Sequence, residues 1–179
     1  MTAILRFIGI MNAAIWLGGA VYFSFVAGQL PFSSAMKDLL GRSHEYYSGA
    51  IAMIGVSRYF SFHLFCAIIA LIHLAAEWLY QDRRNRRSLL WLVGVMLGLT
   101  LIGGYWLQPK MHHLHRVKYA VNYPESARAA ADKSFKRWHG LSMTMNLFML
   151  GGLVVYTMQM TRPPEIARFV RPAPNQFRS

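Results

Sequence analysis

Four long uncharged stretches constrain the fold of this chain more than any other feature of its sequence. Each is at least 18 residues long and consists mainly of aliphatic and aromatic residues. A helix of about 20 such residues crosses the hydrocarbon layer of a membrane and pairs all its backbone polar groups internally. The sequence therefore predicts an all-α integral membrane four-helix bundle with a partly helical outer loop. The predicted spans cover residues 4–27, 57–80, 88–108 and 138–161.

The composition supports this class of protein and argues against nucleic-acid binding. Only 15% of the residues are charged, whereas soluble domains carry about 25%. The net charge of +12 comes from Lys and Arg that lie mostly between the apolar stretches, as in loops at a lipid surface. We predict one transmembrane domain, residues 1–161, followed by a basic, proline-rich and disordered tail, 162–179. The first apolar stretch is too long for a typical signal peptide.

The loop of residues 81–87, QDRRNRR, gives the orientation in the membrane. It is the shortest connection and carries four arginines, so the positive-inside rule places it in the cytoplasm together with both chain termini. When the four arginines of this loop are included, nine Lys and Arg lie near the span ends on each side, which leaves the opposite orientation open. On the other side, Pro124 and Glu125 suit a first helical turn, which predicts a helix running from about 124 into the fourth span.

Five of the seven histidines are predicted to lie near one membrane face. His63 lies about 9 Å into the second span, and His139 begins the fourth. Two imidazoles on neighbouring helices suit a haem iron, and imidazole with thioether suits copper. We therefore predict His63 and His139 as binding residues for haem b or copper. The residues predicted to complete or supply a metal site are His112, His113, His115 and Met143.

Alternative interpretations of the polar residues stay open at this point. The three histidines of the sequence MHHLH, residues 111–115, are more typical of a solvated interface than of a metal site, and a polar residue at position 139 can simply anchor a helix end. His73 and Glu77 are four residues apart on the second span, and because an acidic residue within a span is costly, a proton-linked role is one interpretation. The Glu77 carboxylate can also reach towards the arginines of 81–87. Most methionines are predicted to fill the helix packing. The residues predicted to hydrogen-bond between helices are Asn12, Ser142, Thr144 and Asn146. An interfacial aromatic belt is predicted at Tyr59, Tyr105, Trp106 and Trp138.

Two segments carry a resemblance to a known family. Residues 15–32, IWLGGAVYFSFVAGQLPF, and 135–153, FKRWHGLSMTMNLFMLGGL, resemble the uncharacterised family that includes human transmembrane protein 205. That family is similar to the copper-resistance D-like membrane proteins, a group that also includes a haem-pathway membrane oxidase family. The resemblance implies a small helical-bundle membrane protein, with copper or haem handling as a remote analogy. The positions that carry it are Trp16, Gly18, Gly19, Pro31, Phe135, His139, Ser142 and Asn146.

No catalytic motif, such as a phosphate loop, a nucleophile elbow, CxxC or HExxH, occurs in the sequence. We therefore predict a non-catalytic structural or accessory protein that works through helix association in the bilayer, with other subunits or with itself. The alternatives are a haem- or copper-binding protein, a membrane oxidoreductase using that haem, and a proton-coupled transporter. Glycines that allow close helix packing are Gly18, Gly19, Gly94, Gly98, Gly103, Gly104, Gly151 and Gly152.

Overall fold

A computed structural model of the protein describes residues 2–81 and 87–162. All regular elements in these two ranges are helical, which confirms the all-α prediction. The arginine loop at 82–86 and the tail from 163 onwards lie outside the described residues, so the predictions about them are untested. The α-helices are α1 (Thr2–Tyr22), α2 (Ser34–Leu40), α3 (His44–Gln81), α4 (Arg87–Ile102), α5 (Gln108–Tyr119) and α6 (Glu125–Thr161).

The four long helices pack in a ring. α1 contacts α3 and α6, and α4 contacts the same two helices from the other side. Fully buried alanines on α1 and α3, among them Ala13 and Ala67, let these two backbones approach closely. The rings of Trp16 and Tyr156 meet edge to face at 5.9 Å and fill the centre without solvent exposure. The core therefore lies along the axis of the bundle.

The outer surface of the helices is apolar. Phe7, Phe65, Trp91 and Phe148 are each more than 60% exposed, and many other large hydrophobic residues share this position. Soluble proteins rarely expose so many large apolar side chains, and such a surface suits a lipid bilayer. By length and composition, three helical stretches of the described chain are able to cross a membrane, and the first contains both α1 and α3. They are Ile4–Leu79, Arg87–Tyr119 and Glu125–Thr161.

Three of the helices extend well beyond the predicted spans. α3 begins at His44, 13 residues before the predicted start of the second span. α5 continues the line of α4 after a short widened turn, and α6 begins at Glu125, which confirms the predicted helix in the outer loop. The apolar pattern marks the part of a helix in lipid, whereas packing of α5 on α6 stabilises the polar extensions.

Two widened turns of π-helical geometry interrupt the bundle, at Phe23–Ala27 after α1 and at Gly103–Leu107 after α4. The Gly28 N–H donates to the Phe23 carbonyl at 2.8 Å, five residues back. A Cβ on Gly28 would lie 2.9 Å from that carbonyl oxygen, so glycine allows the turn to close. π-Turns of this kind often occur at functional sites, and both of these border the cavity described below.

Two predictions about polar and aromatic residues are wrong. Tyr59, predicted to lie in an interfacial aromatic belt, is buried in the core, where its hydroxyl donates to Asn146 of α6. Thr144 was expected to link helices, yet its hydroxyl donates to the Gly140 carbonyl of its own helix at 3.1 Å. The Asn12 amide does bridge helices as predicted, donating to the Cys66 carbonyl at 3.1 Å.

Candidate functional site

A cavity of about 620 Å³ lies between the helices. It is bordered by residues of α3, α4 and α6 and of the widened turn that follows α1. At its deep end it reaches His63, and at the other end, here called the rim, it reaches His115. His115 packs against Gly49, which precedes His63 by 14 residues of α3, or about 21 Å along the helix. Its lining is mainly apolar, with methionine and aromatic side chains from three helices. The apolar lining residues include Phe23, Met53, Phe60, Leu99, Leu107, Met145 and Met149.

The cavity brings together four of the six predicted site residues. They are His63 and His139, predicted for a cofactor, and His115 and Met143, predicted for a metal. The other two, His112 and His113, do not border it: the first is half-buried on α5 and the second faces outwards. Four of these side chains therefore border one cavity, whereas α5 presents His112 and His113 away from it.

His63 is held by a short hydrogen bond at the deep end. The Trp16 indole N–H donates to His63 Nδ1 at 2.7 Å, and the two side chains are 0% and 1% exposed. The Tyr59 ring stands perpendicular to the imidazole with centroids 4.2 Å apart. His63 Nε2 is buried and has no hydrogen-bond partner within the described part of the chain. The imidazole is thus fixed at one nitrogen and unpartnered at the other.

This hydrogen bond decides which nitrogen of His63 carries hydrogen. An indole N–H only donates, so His63 Nδ1 supplies a lone pair and the ring hydrogen sits on Nε2. A histidine that binds iron or copper has the opposite arrangement, with a lone pair towards the metal and the other N–H donating to an acceptor. His63 as bonded here therefore does not fit a haem or copper ligand, and it presents a hydrogen-bond donor to the cavity.

A polar triad sits one helical turn from His63. The Tyr59 hydroxyl donates to Asn146 Oδ1 at 2.7 Å, and the Asn146 amide donates to Ser24 Oγ at 2.8 Å. The three residues come from α3, from α6 and from the widened turn after α1. They link three walls of the cavity and bond mainly to one another. Phe23 stacks on the Tyr59 ring at 4.2 Å and 12°.

The rim is an aromatic cluster around His115. Its imidazole lies 5.5 Å from the Tyr46 ring, 5.0 Å from Tyr119 and 6.0 Å from Phe135. Its Nε2 is buried against Gly49, where a Cβ would collide with it. Burial, followed by nearby Lys118, lowers the pKa of His115, which lies beyond the apolar part of the third span. The His115 side chain is therefore packed among the aromatic rings of the rim.

His139 lies on the other side of Phe135. The two rings are parallel, with centroids 6.0 Å apart, and His139 is solvent-exposed while still bordering the cavity. Within residues 2–81 and 87–162, no three His, Cys, Asp or Glu side chains stand close enough together to hold a metal ion. The four predicted ligands that border the cavity are therefore not part of a cluster of three such side chains within these ranges.

An ion-pair network connects α5 to α6 at the rim. Lys118 Nζ lies 2.7 Å from Asp132 Oδ1, and Lys136 Nζ lies 2.8 Å from Asp132 Oδ2. These two lysines lower the pKa of the Asp132 carboxyl, which lies on the charged extension of α6 outside its apolar segment. Lys118 borders the cavity and is paired with this carboxylate. The network fixes α5 against α6.

The second predicted pair, His73 and Glu77, lies at the far end of the bundle. His73 Nε2 is 2.7 Å from the Leu5 carbonyl of α1 and 3.9 Å from Glu77 Oε1. Both side chains are buried, and a Cβ on Gly9 would collide with the His73 ring. This pair joins α1 to α3 and does not border the cavity.

Comparison with known proteins gives the family. Residues 11–120 match the model of the DUF4149 domain, a domain of unknown function, over more than half of the chain. The chain belongs to the DUF4149 family. The match ends at Ala120, directly after α5, so it includes Trp16, His63 and His115 but not the α6 wall of the cavity. No curated protein and no solved structure matches the chain.

The sequence did not reveal the pairing of Trp16 with His63 or of Tyr59 with Asn146. The signal that points to the first pair is a tryptophan in one span and a histidine in the middle of the next, since both need a partner in lipid. Asn146 was recognised as a residue able to bond between helices, and this is confirmed. Its partner stayed unknown because a sequence contains no distance between α3 and α6.

Proposed function

We propose that this DUF4149 protein is a non-catalytic integral membrane protein that binds a mainly apolar small molecule within its helical bundle. The observation that carries the proposal is the cavity itself. Small-molecule sites are typically concave, 300–1,000 Å³ in volume and apolar, with a few polar groups that fix the ligand. The cavity of about 620 Å³, with His63 and the Tyr59 triad at its deep end, has this character.

Binding is tested by filling the cavity. Ala52 borders it on α3, whereas Ala14 is exposed on the outside of α1 and serves as the matched control. Native mass spectrometry of protein purified in mild detergent measures any small molecule that remains bound. We expect a bound species in the wild type and in Ala14→Trp, and its loss in Ala52→Trp. Equal occupancy in the two variants, or no bound molecule in the wild type, contradicts the proposal.

The haem and copper prediction is a separate candidate that the bonding of His63 does not favour. Trp16 donates to His63 Nδ1, whereas in an imidazole bound to metal through Nε2 that nitrogen would itself carry hydrogen and donate. His139 is stacked on Phe135 at the rim. An absorbance spectrum before and after dithionite reduction, with elemental analysis of the same sample, tests it. A haem b spectrum or stoichiometric copper would restore His63 and His139 as ligands and contradict the hydrogen-bond assignment.

Helix association is a second candidate function, favoured by glycines that face outwards. Cβ atoms built on Gly94, Gly98 or Gly151 would meet nothing within 4 Å, so these positions leave open space on the lipid side of α4 and α6. Such small residues permit another helix to approach closely. Replacing Gly94 and Gly98 by leucine is expected to abolish self-association or partner capture measured by cross-linking in native membranes. Unchanged cross-linking would contradict it.

The orientation is part of the same proposal. With both termini in the cytoplasm, the rim of the cavity faces the opposite side of the membrane. The resemblance of residues 15–32 and 135–153 to the family that includes human transmembrane protein 205 supports a membrane protein of this class. Labelling of single cysteines with a membrane-impermeant maleimide, at position 113 against 179 in a Cys66→Ser background, tests the orientation. Labelling of position 179 from outside intact cells would reverse it.

A further inference from the structure

The unpartnered nitrogen of His63 indicates the chemistry of the ligand. Its Nε2–H is buried at the deep end of the cavity, and no group in the described chain accepts from it. A buried donor without an acceptor is unfavourable, so native proteins normally supply one. The other nitrogen is already bonded to Trp16, so a change of tautomer does not remove the donor. An acceptor atom in the cavity completes this site.

We propose that His63 donates to a carbonyl oxygen of a neutral, flat, apolar molecule, of which the membrane quinones are the matching class. This inference rests on the proposed ligand-binding function and specifies its ligand. It is an inference about binding alone, and no electron transfer is assigned to the site.

The charges of the lining favour a neutral ligand over an anionic one. Lys118 is the one Lys or Arg among the described residues that border the cavity, and Asp132 holds it at 2.7 Å. A carboxylate or phosphate placed at the deep end would have no cation beside it, and burying an unpaired charge is costly. A carbonyl oxygen accepts the same hydrogen bond without that cost. Fatty acids and phospholipid headgroups therefore fit the deep end less well.

The walls favour a flat ring. The Phe23 and Tyr59 rings are stacked beside His63, and Phe60 also borders the cavity. Thioether groups of Met53, among others, line the remaining surface. Aromatic faces and polarizable sulfur pack well against a conjugated ring. Because the Tyr59 hydroxyl donates to Asn146, the His63 N–H is the donor at the deep end that sets the position of the ring.

The test compares two ligands that differ only in their carbonyl groups. Menadione carries two carbonyls on a fused ring, and 2-methylnaphthalene keeps the ring skeleton without them. Equilibrium dialysis of the full-length protein in detergent measures both affinities. One net hydrogen bond corresponds to a preference for menadione of about 2- to 10-fold in the wild type. His63→Leu is expected to reduce this preference to about one.

Two further variants show that the donor is responsible. The amide of His63→Gln has an oxygen to accept from Trp16 and an NH₂ to donate into the cavity, so we expect it to retain the preference. His113→Gln, at an exposed histidine outside the cavity, is the matched control and should behave as wild type. Equal affinity of wild type for the two ligands, or an unchanged preference in His63→Leu, overturns the quinone inference.

Failure of this inference is distinct from failure of the proposed function. Equal binding of both ligands overturns the carbonyl requirement while still showing that the cavity accepts apolar molecules. Absence of binding by either ligand overturns the inference, and the native mass spectrum then decides the broader proposal. If His63→Leu does not fold, the position of hydrogen on His63 in the wild type still tests the inference. In ¹⁵N-histidine spectra, hydrogen on Nδ1 of His63 instead of Nε2 would overturn the inference.

Discussion

The hydrogen bond between Trp16 and His63 yields the sharpest stability prediction. It is short, at 2.7 Å, and both side chains are excluded from solvent, so neither partner finds water when the other is removed. Stranding a buried polar atom costs about 1–3 kcal/mol. Trp16→Phe and His63→Leu are each expected to destabilise the protein by roughly that amount, with about 1 kcal/mol more where the smaller Phe ring leaves a void.

The double variant isolates the interaction itself. Removing both partners strands neither, so its cost should fall short of the sum of the single costs by about 1–2 kcal/mol. This is near the upper limit found for hydrogen bonds between membrane helices. Unfolding of the purified protein by SDS in mild detergent, followed by circular dichroism, measures all three variants. Trp91→Phe, at a residue 76% exposed, is the control and should change stability by less than about 0.5 kcal/mol.

A double variant whose cost equals the sum of the single costs, within about 0.5 kcal/mol, would refute the reasoning. It would mean that the indole and imidazole do not depend on each other. The assignment of hydrogen to His63 Nε2 would then lose its basis.

Three further perturbations follow from the geometry. Gly19→Ala places a Cβ 2.5 Å from the Phe62 ring of α3 and is expected to lower the SDS midpoint. Gly18→Ala, whose Cβ meets nothing within 4 Å, is the control and should leave the midpoint unchanged or raise it. Equal effects of the two substitutions would contradict this packing. Tyr59→Phe removes the hydroxyl that donates to Asn146 Oδ1 of α6 and should cost about 1 kcal/mol in the same assay. Unchanged stability of this variant would contradict the hydrogen bond. Because the pKa of Asp132 is lowered in the folded state, its contribution to stability is complete above the unfolded carboxyl pKa of about 4 and falls as the pH drops below it. Asp132→Asn should remove this part of the acid dependence of the thermal midpoint, and an unchanged pH profile would contradict the assignment.

The predictions succeeded where they depended on one helix at a time. The outer-loop helix was expected from Pro124 and Glu125, and α6 begins at Glu125. Tyr59 was misplaced because an aromatic residue near a span end looks the same whether it faces lipid or a neighbouring asparagine. The prediction that grouped His63 and His139 used depth alone, from a rise of 1.5 Å per residue. Both residues border the same cavity, but His63 lies at its deep end and His139 at its rim.

The sequence by itself determined the class of this protein. Long uncharged stretches require helices in lipid, because only a helix satisfies its own backbone there, and this holds whatever the neighbours are. The tertiary structure decided what the polar residues do. Whether His63 is a metal ligand or a donor depends on the indole of Trp16, 47 positions earlier in the chain and 2.7 Å away. That choice is set by how α1 packs on α3, and no local pattern of residues contains the angle at which two helices meet.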